Sequence, residues 1–276
     1  MKTLDRLKEH LRGKVSGGVA LAFSGGVDSS LLLAVLKQLS AEKPFALQAL
    51  TMHTIFHRAE ELEQVTAITS RLGVTLKLFR CDPLAIPEVK YNPPDRCYWC
   101  KRYIFTEITE YASEHELGTV MDGTNADDEK VYRPGRRALR ELKVSSPLSE
   151  CGISKAEVRA MAQELGLECA SKPASPCMAT RFEYGTLLTE EYIRKVVEGE
   201  DLIRALLPRA ENIRLRVHAD IARIEIPGEW LAELTEQREK VVAGLKNMGF
   251  QFITLDLEGF RSGSMDGRKI EKKLIY

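Results

Sequence analysis

The chain has 276 residues, 44% hydrophobic and 29% charged, the balance of a globular protein built as one large domain or a main domain with a smaller partner. Forty Lys and Arg offset forty Asp and Glu, which argues against a general attraction for nucleic acid or an anionic membrane. No apolar run reaches membrane-spanning length and the charged start lacks a signal-peptide core, so the cytoplasm is the expected location, where the six cysteines read as thiols, metal ligands or catalysts rather than disulfides.

Residues 1–12 read as an amphipathic helix with Leu4, Leu7 and Leu11 on one face. An apolar run over 19–23 reads as a buried strand that stops at Ser24-Gly25-Gly26, and a helical pattern follows at once from Ser29. Adjacent glycines allow positive φ and a close backbone approach to a ligand. Free N–H groups at the helix start, with the hydroxyls of Ser24, Ser29 and Ser30 beside them, form an anion site suited to phosphate. The spacing fits neither a Walker loop nor a Rossmann fingerprint. Further strands are predicted over 45–52 and 74–79, separated by a Glu-rich helix over 58–72 that stops at Gly73.

A Pro-rich stretch over 91–102 reads as irregular and holds Cys97-Tyr98-Trp99-Cys100, with a helix following to about residue 113. A fourth strand over 119–122 opens into Gly123-Thr124-Asn125-Ala126-Asp127-Asp128, so Asp122, Thr124, Asn125 and Asp127 become candidates for the nucleotide site, with a capped turn as the plainer reading. Ser154 followed by Glu157 marks a capping box for a helix over 154–166. Strand–helix alternation up to this point predicts an α/β fold with a doubly wound, mostly parallel sheet, whose ligands sit beyond the carboxyl ends of the strands. After a loop over 172–186 come a helix (189–207), two strands (214–218 and 222–226) joined at Ala219-Asp220, a helix (230–248) and a strand (252–256). That is a small α+β module, and it sets the expected domains at 1–181 and 182–276.

Cys97 and Cys100 form a lone C-x-x-C, compatible with zinc, iron–sulfur or dithiol chemistry. Cys81, Cys151 and Cys169 read as small buried apolar groups. Cys177 stands four residues before Arg181, and a nearby arginine favours thiolate. Arg214 and Arg216, two apart on a strand, share a face and can reach one anion, although a solvated strand face is the better reading of these residues alone.

The string Ser24-Gly25-Gly26-Val27-Asp28-Ser29 resembles the pyrophosphate loop of the PP-loop ATP pyrophosphatases, which split ATP to AMP and pyrophosphate while adenylating a substrate. The resemblance implies that Asp28 helps hold Mg2+ on the pyrophosphate. Ser175-Pro176-Cys177-Met178-Ala179-Thr180-Arg181, Tyr184-Gly185-Thr186, Tyr132-Arg133-Pro134-Gly135, the 214–218 strand and Leu255-Asp256-Leu257-Glu258-Gly259-Phe260-Arg261-Ser262-Gly263 are similar to blocks of the LarE family. Those enzymes are ATP-dependent pyridinium-3,5-biscarboxylic acid mononucleotide sulfurtransferases of nickel-pincer cofactor synthesis. The likeness implies that Cys177 handles sulfur and that Cys97, Cys100 and Cys177 hold a 4Fe–4S cluster, as in the three-cysteine branch. A persulfide on Cys177 resolved by the C-x-x-C pair is the alternative. It further implies a phosphate end held by Arg214, Arg216 and Thr180, anion contacts from Arg181 and Arg261, and a metal or assembly role for Glu200 and Glu225. Glu233 stands where the family has Asp. ATP, Mg2+ and the cluster are the expected cofactors. The expected partner is a small nucleotide, with no nucleic acid or membrane, in a homo-oligomer that the family makes a hexamer; the sulfide donor is left open. Competing readings are a tRNA thiolase, an amidating synthetase and a non-catalytic binding module.

Overall fold

The computed structural model describes residues 3–130, 133–172 and 175–266. Of the sequence blocks above, Tyr132 and the loop residues Pro173 and Ala174 lie outside the described residues. The chain divides into two compact units, one of Met1–Val89 with Pro94–Ser175, the other of Lys90–Pro93 with Pro176–Tyr276.

The first unit contains α1 (Thr3–Arg12), β1 (Val19–Ala22), α2 (Val27–Glu42), β2 (Leu47–His53), α3 (Ala59–Leu72) and β3 (Thr75–Arg80). The short α4 (Pro87–Lys90) then leads to α5 (Arg96–Glu114), β4 (Thr119–Met121), α6 (Gly135–Glu141), α7 (Pro147–Glu150) and α8 (Lys155–Glu164). Four parallel strands lie in the order β3-β2-β1-β4. Alternation along β1 sends Val19 and Leu21 into a core shared with α1, α2, α3 and α8, while Ala20 meets Leu50 and, on α5, Ile108 and Ala112. Helices therefore cover both faces, and β1 has no polar side, as a central parallel strand requires. Leu7 and Leu11 are fully buried on α1, and Gly73 ends α3 in the left-handed region at φ 59°. Ser154 and Glu157 form the reciprocal capping box at the start of α8.

One sequence expectation is corrected here. Helix α5 begins at Arg96, so the stretch expected to be irregular up to residue 102 is helical over its second half. Prolines at 93 and 94 stop any earlier turn, and Asp95 stands at the cap position.

The second unit contains α9 (Glu190–Leu206), β5 (Arg214–His218), β6 (Ile221–Glu225), α10 (Leu231–Glu236), α11 (Arg238–Asn247) and β7 (Phe252–Leu255). Its sheet runs β5-β6-β7, antiparallel between the first pair and parallel between the second. The single helix expected over 230–248 is two helices that meet at Gln237. Residues 90–93 belong to this unit because buried Asn92 donates from Nδ2 to the carbonyls of Phe182 (3.1 Å) and Glu183 (2.8 Å). No helix among the described residues is long and apolar enough to cross a membrane.

Candidate active site

Strand order places the switch point between β1 and β4, because the chain leaves β1 toward β2 and β3 and later returns to the opposite edge of β1. Two loops open at the carboxyl ends there, which is where such sheets bind ligands. In the first, Gly25 adopts φ 71°, and a Cβ on it would stand 2.9 Å from Val65 Cγ1. Gln64 on α3 donates to the Gly25 carbonyl at 2.8 Å and fixes the turn. Gly26, expected to share the positive φ, is instead extended at φ −71° and ψ 161°, because it serves as the N-cap of α2. The hydroxyls of Ser24 and Ser29 lie 3.2 Å apart, and Ser29 Oγ donates to the Gly26 carbonyl at 3.1 Å. Ser29 and Ser30 are both buried. Gly26 provides no side-chain cap, so the positive end of a 16-residue helix faces the loop mouth.

Asp28 lies on the first turn of α2. Its Oδ1 accepts from Asn125 Nδ2 at 3.0 Å, and its Oδ2 pairs with Lys155 Nζ at 2.5 Å. Asn125 also accepts the N–H groups of Asp127 and Asp128 through Oδ1, so one side chain both caps a short turn and holds the loop aspartate. Asp127 Oδ2 accepts the backbone N–H of Lys155 at 2.8 Å; the Lys130 ammonium, then this N–H, hold its carboxyl below the ordinary range. Buried Asp122 accepts from Ser146 Oγ and Thr124 Oγ1, both at 2.5 Å, and lies 3.8 Å from Lys101 Nζ. Gly123 makes the approach possible, since a Cβ there would stand 3.0 Å from Ser29 N and 3.2 Å from Asp28 Cβ. Of these four, Asn125 reaches the phosphate-loop helix through Asp28, while Asp122, Thr124 and Asp127 bond within the β4 loop and to Ser146 and Lys155, as the capped-turn reading expects.

Lys155 and Lys101 were absent from the sequence candidates. For Lys155 the signal was present: the Ser154–Glu157 capping box fixes it as the first residue of a helix, with its side chain free to face the ligand end of the sheet. Lys101 follows Cys100 directly, and nothing in the local pattern tells which strand end it reaches.

None of the six cysteines forms a disulfide. Cys97 is exposed and Cys100 partly so, three residues apart on the first turn of α5 and therefore on one side of it. Buried Arg96 points a guanidinium nitrogen at Cys97 Sγ, 3.7 Å away. Cys169 is buried as expected, whereas Cys81 and Cys151 are only half-buried; burial pushes the Cys81 thiol up to about 11. Cys177 belongs to the second unit and caps a short turn over Met178–Arg181. Its carbonyl accepts from Thr180 Oγ1 at 2.8 Å and from Arg181 Nη1 at 3.3 Å. Among the described residues no group of three His, Cys, Asp or Glu side chains is gathered for a metal.

In the second unit three arginines are buried with two carboxylates. Arg181 bonds Glu200 through Nε (2.8 Å) and Nη2 (3.2 Å), and Glu200 also accepts the Leu215 N–H. Arg216 bonds Glu225 at 2.9 Å and the Thr180 carbonyl at 3.1 Å, while Arg223 takes the other Glu225 oxygen at 3.0 Å. Arg214 faces Phe260 at 5.1 Å and lies across from Glu225 in the strand register. Burial, with the charge of Arg181 behind it, pulls Arg214 down to about 10; burial also lowers Arg216. Glu200 and Glu225 are engaged as arginine partners, and Arg261 forms exposed pairs with Asp256 and Glu258.

A parallel sheet whose first strand feeds a glycine turn, paired serine hydroxyls and an uncapped helix start defines a phosphate-binding protein of the PP-loop class. Residues 1–88 match the family model of the PP-loop domain. The pyridinium-3,5-bisthiocarboxylic acid mononucleotide synthase of Lactiplantibacillus plantarum is 36% identical over 90% of this chain and 88% of its own length. An uncharacterized protein of Synechocystis sp., slr1717, is 36% identical over 89% of this chain and 91% of its own. A tRNA-specific 2-thiouridylase of Thermoanaerobacter pseudethanolicus is 25% identical over 68% of this chain and 62% of its own. The chain belongs to the pyridinium-3,5-bisthiocarboxylic acid mononucleotide synthase (LarE) family.

Proposed function

We propose that this protein is an ATP-dependent sulfurtransferase that converts the carboxylates of pyridinium-3,5-biscarboxylic acid mononucleotide into thiocarboxylates through acyl-adenylates. The observation that carries the reading is the cradle of Asn125 and Lys155 around Asp28 at the uncapped start of α2, in a chain of this family. A carboxylate resists attack by sulfur because its leaving group would be oxide; adenylation changes the leaving group to AMP. The N–H groups of the α2 start and the Ser24 and Ser29 hydroxyls receive the pyrophosphate, and Lys155 offsets its charge. Mg2+ held through Asp28 would neutralise the remainder. Arg214, Arg216 and Arg181 supply the cationic surroundings for the substrate's phosphate and carboxylates, with Thr180 beside them. Twofold thiolation takes two ATP cycles.

In donor chemistry a 4Fe–4S cluster takes thiolates, and Cys97 and Cys100 share one turn of α5, one exposed and one half-buried, with neither they nor Cys177 in a disulfide. With Cys97, Cys100 and Cys177 as ligands, such a cluster would present the sulfur that attacks the acyl carbon. The test is anaerobic turnover with ATP, Mg2+, sulfide and the biscarboxylate mononucleotide, with AMP, pyrophosphate and thiocarboxylate quantified beside iron and acid-labile sulfide. Thiocarboxylate formed with stoichiometric AMP, and iron lost on Cys97→Ala, Cys100→Ala or Cys177→Ala, are the expected results. Turnover of tRNA instead would move the assignment to the thiouridylase reaction of the more distant relatives.

A further inference from the structure

We propose that the second unit carries a phosphate site built on His218 and Arg223, an assignment that goes beyond the sulfur-transfer reading and does not rest on it. Alternation along β5 puts His218 on the face that presents Arg214 and Arg216. The register puts Arg223 on the same face of β6, diagonal to His218, with Thr254 across from it on β7. With Glu183, Ala219 and Ile221, these three residues line an open cavity of about 460 Å³.

A pair of unsatisfied nitrogens marks the cavity. His218 Nδ1 lies 2.9 Å from Glu183 Oε1, while Arg223 Nη2 bonds Glu225 at 3.0 Å and Nη1 faces Asp256 at 3.6 Å. Carboxylates therefore hold one side of each group. On the other side, His218 Nε2 and Arg223 Nε are buried with no hydrogen-bond partner among the described residues. Buried polar atoms left unpaired are few in folded proteins and point to a water or an ion. Two of them, on side chains that line one cavity, fit a single ligand that bonds both.

Hydrogen-bond chemistry selects the ligand. An ionised carboxylate only accepts, so the bond to Glu183 keeps a proton on Nδ1. Nε2 then accepts when the ring is neutral and donates when it is an imidazolium, whereas Arg223 Nε donates in either case. A phosphate monoester near neutral pH exists with and without its second proton. It offers Nε2 a P–OH or a bare oxygen as the ring requires, and gives a second oxygen to Arg223. A carboxylate ligand suits the imidazolium alone, and a metal cation is repelled by the guanidinium. The two side chains are 22% and 26% exposed, and turning them toward the ligand is the ordinary adjustment of a binding site.

The experiment is equilibrium dialysis of the full chain against radiolabelled inorganic phosphate. Wild type is compared with His218→Gln, Arg223→Gln and, as a control for surface charge, Arg238→Gln on an exposed part of α11. Melts check the fold; Glu225 keeps Arg216 when Arg223 is replaced, and His218→Gln leaves every arginine in place. Each substitution at the site is expected to weaken one class of bound phosphate by about tenfold, the worth of a hydrogen bond to a charged group, with Arg238→Gln unchanged. Excess unlabelled nicotinic acid mononucleotide that displaces this phosphate would assign the site to the phosphate end of a mononucleotide. Phosphate that stays bound would assign it to free phosphate. Equal displacement by acetate would overturn the choice of phosphate over a carboxylate. Phosphate bound as tightly by folded His218→Gln and Arg223→Gln as by wild type would overturn the proposal and leave water as the partner of the two nitrogens.

Discussion

Asp28 carries its negative charge at the start of α2, where the helix field already favours it, and Asn125 and Lys155 take up both of its oxygens. A divalent cation bridging Asp28 to pyrophosphate would need one of those oxygens, and the ammonium is the partner that can follow the negative charge onto the phosphate. Asp28→Asn is therefore expected to lower pyrophosphate release at saturating ATP by about 100-fold, the scale of losing one strong charge-stabilising group. Lys155→Gln is expected to raise KM for ATP by about tenfold, since a hydrogen bond to a charged group is worth ~1.5–3 kcal/mol. Initial rates of pyrophosphate release against ATP concentration separate the two. An unchanged KM in Lys155→Gln would confine Lys155 to holding Asp28. The same scale explains Glu200 and Glu225: each is buried on an arginine, and that pairing is the local reason for acidic residues at these positions.

The loops after β1 and β4 approach so closely that one position has no room for a side chain. Gly123 does not need an unusual φ; it needs space, with Ser29 N 3.0 Å and Asp28 Cβ 3.2 Å from where a Cβ would stand. Both neighbours belong to the first turn of α2 and cannot swing aside as the end of a long side chain can. Gly123→Ala is expected to push the β4 loop off the phosphate loop, lengthen the Asn125–Asp28 bond and weaken ATP binding several-fold. Isothermal titration with ATP, beside a melt showing a largely retained fold, is the measurement. Affinity equal to wild type would mean that the loops yield without cost. Gly25 is the complementary case, since its left-handed φ and its approach to Val65 both require glycine.

At the scale of the molecule, α1 is tied to the first unit partly through Glu150, which pairs with His10 and Lys14 and accepts from Ser145 and the Ser146 N–H. Burial alone would raise its carboxyl, but hydrogen bonds from Lys14, His10 and Ser145 outweigh that and hold it at about 2 instead of the usual 4.5. The folded value lies below the unfolded one, so this contribution is fully present above about 4.5 and is lost as pH falls toward about 2. Stability measured by urea unfolding is expected to drop across that window in wild type and to drop less in Glu150→Gln; identical profiles would exclude Glu150 as a source of the acid sensitivity.

Much of this protein was legible in the residues. Apolar runs bounded by glycine set the parallel strands, the Leu7 and Leu11 spacing set α1, the Ser154–Glu157 pair set the start of α8, and Ser24 to Ser29 set the phosphate loop, because each rests on chemistry among neighbours in the chain. The start of α5 was missed because helix breakers at 93 and 94 sit beside a helix whose side chains pack elsewhere: Tyr98 is buried under Arg137, whose guanidinium lies 3.7 Å from the ring centre. The sequence by itself determined the family, the fold class and the phosphate-binding turn, since local backbone chemistry is enough for them. Only the tertiary structure decided that Asn125 and Lys155 hold Asp28 and that Arg181 and Arg216 are committed to Glu200 and Glu225. Those partners lie from 9 to 127 positions apart along the chain, and folding alone brings them within bonding distance.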